Sequence, residues 1–389
     1  GDADESLAKV IEAGSVDSSV YYLYGILLAQ RGERPEANEC LERATQLEPD
    51  YYLYWFRLGE SRHISGEDAE AAVLRALELA PNDLWVLNLA GLIHLENQRD
   101  AASLALLAGA YGLAEGSDDS DSTEFDDIIA NYSEALFRTG DRDRAYELLR
   151  SRTETAPLLN QQGNLHSRDG DFESAAAAYE RAARIAPGDK TILMNCAAAC
   201  IESDRVLRAE EILARILEDE HDSGAYNLMG NAALIKGEYA RADAAYSEAL
   251  RADPANKDAA INLACLQADR SEYEDARTTI TKHLSGIDTP RLAAVRERVR
   301  HETELEIVCC RCERVWKVDK NIADQPPLRL RGELPDESPA GQCPECGNVY
   351  CISCAKATLS EGRFQCADCG ESLKLSSEHI KLIVARYVP

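Results

Sequence analysis

The chain has 389 residues, 45% apolar and 29% charged, a globular balance with length enough for two or three domains and a real hydrophobic core. Its 42 Lys and Arg face 69 Asp and Glu, a net charge of −27, so a polyanion such as duplex nucleic acid or an acidic membrane face is repelled over most of the surface. Aromatics are only 6% and Ala is abundant, which suits closely packed helices and excludes an all-β fold. No run reaches the roughly 18 uninterrupted apolar residues of a spanning helix. The best candidate, Ala101 to Ala114, is broken by Ser103, two glycines and Tyr111.

The sequence opens Gly1-Asp2, without Met, and what preceded it is open. Leu7, Val10 and Ile11 predict a short helix packing on the first of a series of repeats. Gly-acidic turns then recur at Gly32-Glu33, Gly66-Glu67, Gly140-Asp141, Gly170-Asp171 and Gly237-Glu238, each followed by an Ala-rich helical run and usually a Pro. The units 156–189 and 223–256 align on a frame of about 34 residues. They place Gly163 and Gly230 at position 8, Ala175 and Ala242 at 20, Tyr179 and Tyr246 at 24, Ala182 and Ala249 at 27, and Pro187 and Pro254 at 32. Further units fit at 18–51, 52–83, 84–115, 126–155, 190–222 and 257–288, with Ser133, Ala197 and Ala264 replacing the Gly in three of them. Residue 8 must be small so that the second helix can approach the first, and Pro at 32 stops the second helix. Between the third and fourth units, Glu115 to Glu124 is polar and acidic without periodicity, and predicts an exposed loop.

This pattern resembles the tetratricopeptide (TPR) repeat over about three quarters of the chain. The resemblance implies an all-α solenoid of about eight helix-turn-helix units, whose first helices line a concave surface through repeat positions 2, 5, 9 and 12, with position 6 reaching it from the next unit. Asn160 and Asn227 then fall at position 5, Asn164 and Asn231 at position 9, and Asn131, Asn195 and Asn262 at position 6. Asn is a poor helix former, so its recurrence calls for a reason. A carboxamide both donates and accepts, and a row of them can hold the backbone of an extended peptide whatever its side chains. The alternative at position 6 is a bond to the neighbouring repeat's backbone that sets superhelical packing.

Eight of the 13 Cys form four C-x-x-C pairs after residue 308, leaving Cys40, Cys196, Cys200, Cys265 and Cys310. The odd total and the pairing point to metal in place of disulfides, and to a reducing compartment such as a cytoplasm. Cys196 and Cys200 share one helix side and offer half a metal site, but no further Cys or His nearby completes a set, and packing between helices is the preferred reading. Pro290 opens a charged helix to about Glu304, with Leu292, Val295 and Val299 on one side, expected to cap the solenoid. The domains expected are therefore 1–288, the repeats; 289–305, the capping helix; and 306–389, a Cys-rich module.

A C-x-x-C turn aims two thiolates at one tetrahedral ion, so four turns make two closed sites and hold two structural Zn2+. The gap of four residues, Gly347 to Tyr350, between the second and third pairs, with long gaps on either side, fits a cross-braced arrangement in which alternate pairs share an ion. One site is then Cys309, Cys312, Cys351 and Cys354, and the other Cys343, Cys346, Cys366 and Cys369; sequential pairing, first pair with second and third with fourth, is the alternative. The run CPECGNVYCISC, Cys343 to Cys354, is similar to the FYVE finger core and more loosely to RING fingers. FYVE fingers bind a phosphoinositide through a basic run before the second pair; here Pro339-Ala340-Gly341-Gln342 stands there, so no membrane lipid is expected. A RING finger joined to TPR repeats implies a ubiquitin ligase with TPR substrate or chaperone recognition, although here every ligand is Cys and the last pair encloses Ala367-Asp368 without a Pro.

No His-Glu-x-x-His, Gly-rich phosphate loop or G-x-S-x-G is present, and four-thiolate zinc keeps no open position. The expectation is a non-enzymatic scaffold that takes a protein or extended peptide in the first-helix groove, with the ubiquitin ligase as the alternative. Residues 306–389 hold 11 Lys and Arg against 12 Asp and Glu, leaving 31 against 57 in residues 1–305. That imbalance points to a basic partner and away from nucleic acid.

Overall fold

The computed structural model describes residues 17–116, 123–320, 334–360 and 362–387, together with Leu7, Val10 and Ile11, which are helical. Its chain divides into two compact units, Gly1–Ile216 and Leu217–Pro389. Residues 117–122, most of the acidic segment expected to form a loop, lie outside the described residues.

The first unit is built of antiparallel helical hairpins: α1 (Ser18–Arg31) with α2 (Arg34–Leu47), α3 (Tyr52–Ser65) with α4 (Glu70–Leu79), α5 (Leu84–Glu96) with α6 (Asp100–Glu115), α7 (Asp126–Arg138) with α8 (Arg142–Arg150), and α9 (Ala156–Arg168) with α10 (Phe172–Ile185), followed by α11 (Lys190–Glu202) and α12 (Val206–Asp219), which runs past the unit's end at Ile216. The second unit continues with α13 (Ser223–Ile235) and α14 (Tyr239–Ala252), α15 (Lys257–Asp269) and α16 (Tyr273–His283), and the single helix α17 (Pro290–Thr303). A pair of helices thus appears at each of the eight expected units. No helix among the described residues is long and apolar enough to cross a membrane.

Local chemistry sets the ends of these helices. Side chains of Asp17, Asp83, Asp189, Asp222 and Asn256 accept backbone N–H bonds at the starts of α1, α5, α11, α13 and α15, satisfying donors that a first turn leaves over. The second helices α2, α4, α10 and α14 stop at Glu48, Ala80, Ala186 and Asp253, each followed by Pro. Within hairpins the turn residue is left-handed. The Gly-acidic turns supply Gly32, Gly66, Gly140, Gly170 and Gly237 at φ between 72° and 96°. The other three hairpins put Gln98, Asp204 and Ser271 into the same conformation at φ 58°, 62° and 63°, although nothing in their sequence announces it.

The hairpins close on small residues. A Cβ added to Gly163 would lie 2.5 Å from the Tyr179 ring, and Gly230 stands in the same relation to Tyr246. Gly91 meets Leu107 and Gly59 meets Val73 in the same way. Ala175, Ala182, Ala242 and Ala249 on the second helices are fully buried, so those helices can nest closely.

Within the second unit the last helix passes into the Cys-rich module without a loop. Helix α17 ends at Thr303 and strand β1 (Glu304–Val308) begins at the next residue, pairing antiparallel with β2 (Val315–Asp319). Leu292 and Val299 of α17 are buried, with Val295 packed beside them against α15 and α16. Arg277 of α16 pairs with Asp319 of β2 at 2.6 Å, and the Lys320 ammonium donates to the His301 carbonyl at 2.6 Å. Two small antiparallel sheets follow, β3 (Pro339–Gln342) with β4 (Val349–Cys351) and β5 (Leu359–Ser360) with β6 (Arg363–Phe364). Helix α18 (Ile352–Ala355) lies between them in sequence, and α19 (Ser377–Tyr387) packs on β2 and β3.

Two substitutions test this account in opposite directions. Gly163→Ala forces the Tyr179 ring out of its place and is expected to cost about 1–3 kcal/mol in urea unfolding. Ser271→Gly relieves a left-handed residue with a side chain, and is expected to stabilise by about 0.5–1 kcal/mol.

Candidate functional site

Two groups of residues carry chemistry beyond packing, and the first is the asparagines of the first helices. The Asn131 amide of α7 donates to the Asn88 carbonyl of α5 at 3.0 Å, and Asn195 of α11 donates to Asn160 of α9 at 3.1 Å. In the second unit Asn262 of α15 donates to Asn227 of α13 at 3.0 Å and lies 3.2 Å from the Asn231 carbonyl oxygen. Position 6 of one first helix therefore grips position 5 of the preceding one, side chain to side chain and not to backbone. All of these asparagines are half-buried, so the pairs lie at the edge of solvent. Asn88 belongs to the set although it was not singled out from the sequence. Its position, fifth in the unit 84–115, is the signal that could have found it.

Asn164 and Asn231 behave differently. Each accepts from the tyrosine at position 24 of its own repeat, Tyr179 Oη to Asn164 Oδ1 at 2.8 Å and Tyr246 Oη to Asn231 Oδ1 at 2.9 Å, and Asn164 also donates to Gln161 Oε1. Both tyrosines are buried, and burial pushes each hydroxyl up to about 12, so it stays a donor at neutral pH. The sequence frame puts these asparagines on the groove face; the structure adds that their carbonyls anchor the tyrosine on which Gly163 or Gly230 closes. Arg291 of α17 in turn donates to the Asn262 carbonyl at 3.0 Å, joining the capping helix to the last asparagine pair.

The second group is the thiols. Cys309, Cys312, Cys351 and Cys354 bring their sulfurs within 4.8 Å of one another, and so do Cys343, Cys346, Cys366 and Cys369. Three of the four C-x-x-C pairs are built the same way. The first Cys N–H donates to the carbonyl five residues on, Arg314, Asn348 or Glu371, and its carbonyl accepts from the N–H four residues on, Glu313, Gly347 or Gly370. That fourth residue is left-handed in each, at φ 57°, 76° and 78°. The third pair instead opens α18, where Cys351 Sγ accepts the Cys354 N–H at 3.3 Å. The Cys310 N–H donates to the Val349 carbonyl at 2.8 Å and the Cys351 N–H reaches Cys309 Sγ at 3.4 Å, which sets the first pair on the third, while the Gln342–Lys374 bridge sets the chain after the fourth pair beside the second.

The cluster geometry suits a tetrahedral thiophilic ion. Sulfur separations of 3.7 Å for Cys312–Cys351, 3.3 Å for Cys343–Cys369, 3.5 Å for Cys346–Cys366 and 4.0 Å for Cys346–Cys369 bracket the edge of about 3.8 Å implied by metal–sulfur bonds of about 2.3 Å. Donors are already turned on the sulfurs. Burial raises the Cys309 thiol, yet N–H groups of Cys312, Arg311 and Cys351 bring it down to about 7. The Tyr350 hydroxyl, 3.4 Å from Cys366 Sγ, together with the N–H groups of Asp368 and Cys369, holds Cys366 down at about 6. Asp368 ties this shell together, accepting from Asn348 at 2.7 Å and pairing with Arg311 at 3.1 Å, with the Tyr350 hydroxyl 3.1 Å from one of its oxygens. Buried Trp316 donates to the Glu337 carbonyl at 3.0 Å and packs beside the first cluster.

Comparison with known proteins addresses the repeats. Family models described as tetratricopeptide repeat match residues 166–232, 22–84 and 227–288. Over those segments the chain carries tetratricopeptide repeats. It is 27% identical over 311 residues to a TPR repeat-containing protein of Treponema pallidum (strain Nichols), covering 75% of this chain but only 38% of that protein's length. Among solved structures, a human IFIT1 dimer with m7Gppp-AAAA aligns over 74% of this chain and 72% of its own at 16% identity and a TM-score of 0.56, which shows the fold alone. A tetratricopeptide repeat protein from Parabacteroides merdae ATCC 43184 aligns over 69% of this chain and all of its own, with 14% identity and a TM-score of 0.47.

Because each carbonyl anchors a buried phenol, Asn164→Ala and Asn231→Ala are each expected to lower stability by about 1–3 kcal/mol, read as a shifted denaturant midpoint at unchanged slope. A TPR groove residue with no internal partner would leave the midpoint where it was.

Proposed function

We propose that this protein is a non-enzymatic interaction scaffold in which the first-helix asparagine pairs hold the backbone of an extended peptide, while two structural Zn2+ fix the C-terminal module. The observation that carries the reading is the Asn-to-Asn pairing. In Asn160–Asn195 one carbonyl and one N–H are used within the pair, so the Asn160 amide and the Asn195 carbonyl are left to serve a ligand. The same division holds for Asn88 and Asn131. A peptide backbone offers donors and acceptors in alternation, and a rung that presents one of each matches it without reading side chains. Pairing also fixes the carboxamides before a ligand arrives, which lowers the entropy cost of binding.

TPR domains as a class bind proteins and peptides. The acidic excess of residues 1–305, 57 carboxylates against 31 Lys and Arg, favours a segment bearing Lys or Arg and predicts association that slows as salt rises. The structural neighbour solved with capped RNA shares the fold, but here the charge opposes a polyanion, and no retention of a capped oligoribonucleotide is expected at physiological salt. For the module, an all-thiolate donor set with tetrahedral spacing supports zinc over harder ions. Interleaved Cys pairs also suit the ubiquitin-ligase reading; transfer from a charged conjugating enzyme separates the two, and none is expected.

Two experiments decide these proposals. Panning a random peptide library on the full chain should yield basic extended ligands whose affinity drops tenfold or more in Asn160→Ala/Asn195→Ala, as expected when polar partners are removed from a bound backbone. Equal binding by the variant and the parent would overturn the groove reading. Metal analysis should find two Zn2+ per chain, and chelation should abolish protease resistance beyond β1 while the helical circular dichroism of the repeats persists. One ion per chain, or a module that survives chelation, would contradict the zinc assignment.

A further inference from the structure

Cys196 and Cys200, set aside in the sequence as half a site, acquire a third member from the neighbouring hairpin. Glu180 of α10 brings a carboxylate oxygen to the two sulfurs of α11, and all three ligand atoms lie within 4.8 Å of one another. Both thiols are wholly buried at 0% exposure, one turn apart on the same helix face and within hydrogen-bond reach of each other. Spacing along the chain does not reveal Glu180, a carboxylate sixteen residues upstream of Cys196 on another helix.

Packing alone does not select thiols here. On the repeat frame these are positions 7 and 11 of the first helix, and other units fill them with Leu58 and Arg62, Ala90 and His94, Tyr132 and Leu136, or Leu263 and Gln267. The volume requirement is loose, whereas two sulfurs and an oxygen converge in this unit alone among the described residues outside the two C-terminal clusters. Glu180 is moreover held. Arg205 donates to its Oε1 at 2.6 Å and Arg208 Nε lies 3.4 Å from the same oxygen, while Arg208 also pairs with solvent-exposed Glu211.

We infer that Cys196 and Cys200 form a buried two-sulfur site for a soft monovalent ion of the Cu(I) type, with Glu180 and its two arginines as the supporting shell. Thiolate selects soft ions, and Cu(I) accepts few ligands, whereas Zn2+ requires four. A carboxylate already engaged by two guanidinium groups is a poor third ligand, which leaves two sulfurs. Charge points the same way. Two thiolates, one carboxylate and two guanidinium groups sum to −1, which a monovalent ion neutralises in a site shielded from water. Binding releases the two thiol protons and changes no oxidation state.

The test uses the full, zinc-loaded chain titrated with Cu(I) from a chromophoric Cu(I) buffer under reducing, oxygen-free conditions, with released zinc followed in the same sample. The first equivalent of Cu(I) is expected to bind without zinc release, and X-ray absorption should show two sulfur neighbours. In Cys196→Ala/Cys200→Ala, a change that keeps small apolar residues in the helix, that zinc-silent equivalent should disappear, whereas Cys265→Ala should retain it. Displacement of zinc by the first equivalent, three or four sulfur neighbours, or undiminished zinc-silent binding by the double variant would each overturn the assignment. Should the double variant fold poorly, the zinc-silent stoichiometry and sulfur count of the parent chain decide alone.

Discussion

The close approach of the two helices of each hairpin is the constraint on which the rest of the repeats depends. Gly163 and Gly230 leave room for one tyrosine ring each, and a methyl group there would occupy the place of Tyr179 or Tyr246. Once the ring is seated, its hydroxyl must find an acceptor in the low-dielectric interior, and Asn164 or Asn231 supplies one. The same contact that closes the hairpin therefore orients a carboxamide on the first helix. The position 9 asparagines are thereby tied to the tyrosines of their own repeats, whereas the position 5 and 6 asparagines pair with each other from one repeat to the next.

A different economy governs the C-terminal module. Its strands are two to five residues long and its largest buried side chains are Trp316 and Tyr350, too little apolar burial to fix a fold of that size unaided. The backbone instead converges at C-x-x-C turns whose hydrogen bonds repeat from pair to pair, and Asp368 links Tyr350, Asn348 and Arg311 around the second cluster. The junction at Thr303, where α17 becomes β1, and the Arg277–Asp319 pair join this module to the last hairpin.

Sequence by itself determined the helical hairpins and the grouping of cysteines, because both are written in local chemistry. Asp or Asn caps, Pro after second helices, glycine in left-handed turns and C-x-x-C spacing act over a few residues, and a repeat frame only has to count them. Tertiary structure decided what lies across helices. The left-handed conformations of Gln98, Asp204 and Ser271 carry no local signature; the geometry of the hairpin imposes them on residues that would otherwise avoid it. The pairing of Asn131 with Asn88 and the arrival of Glu180 beside Cys196 and Cys200 depend on how one helix is rotated against the next. That rotation is set by side-chain packing along the whole interface, so a single residue's neighbours across it cannot be read from spacing along the chain.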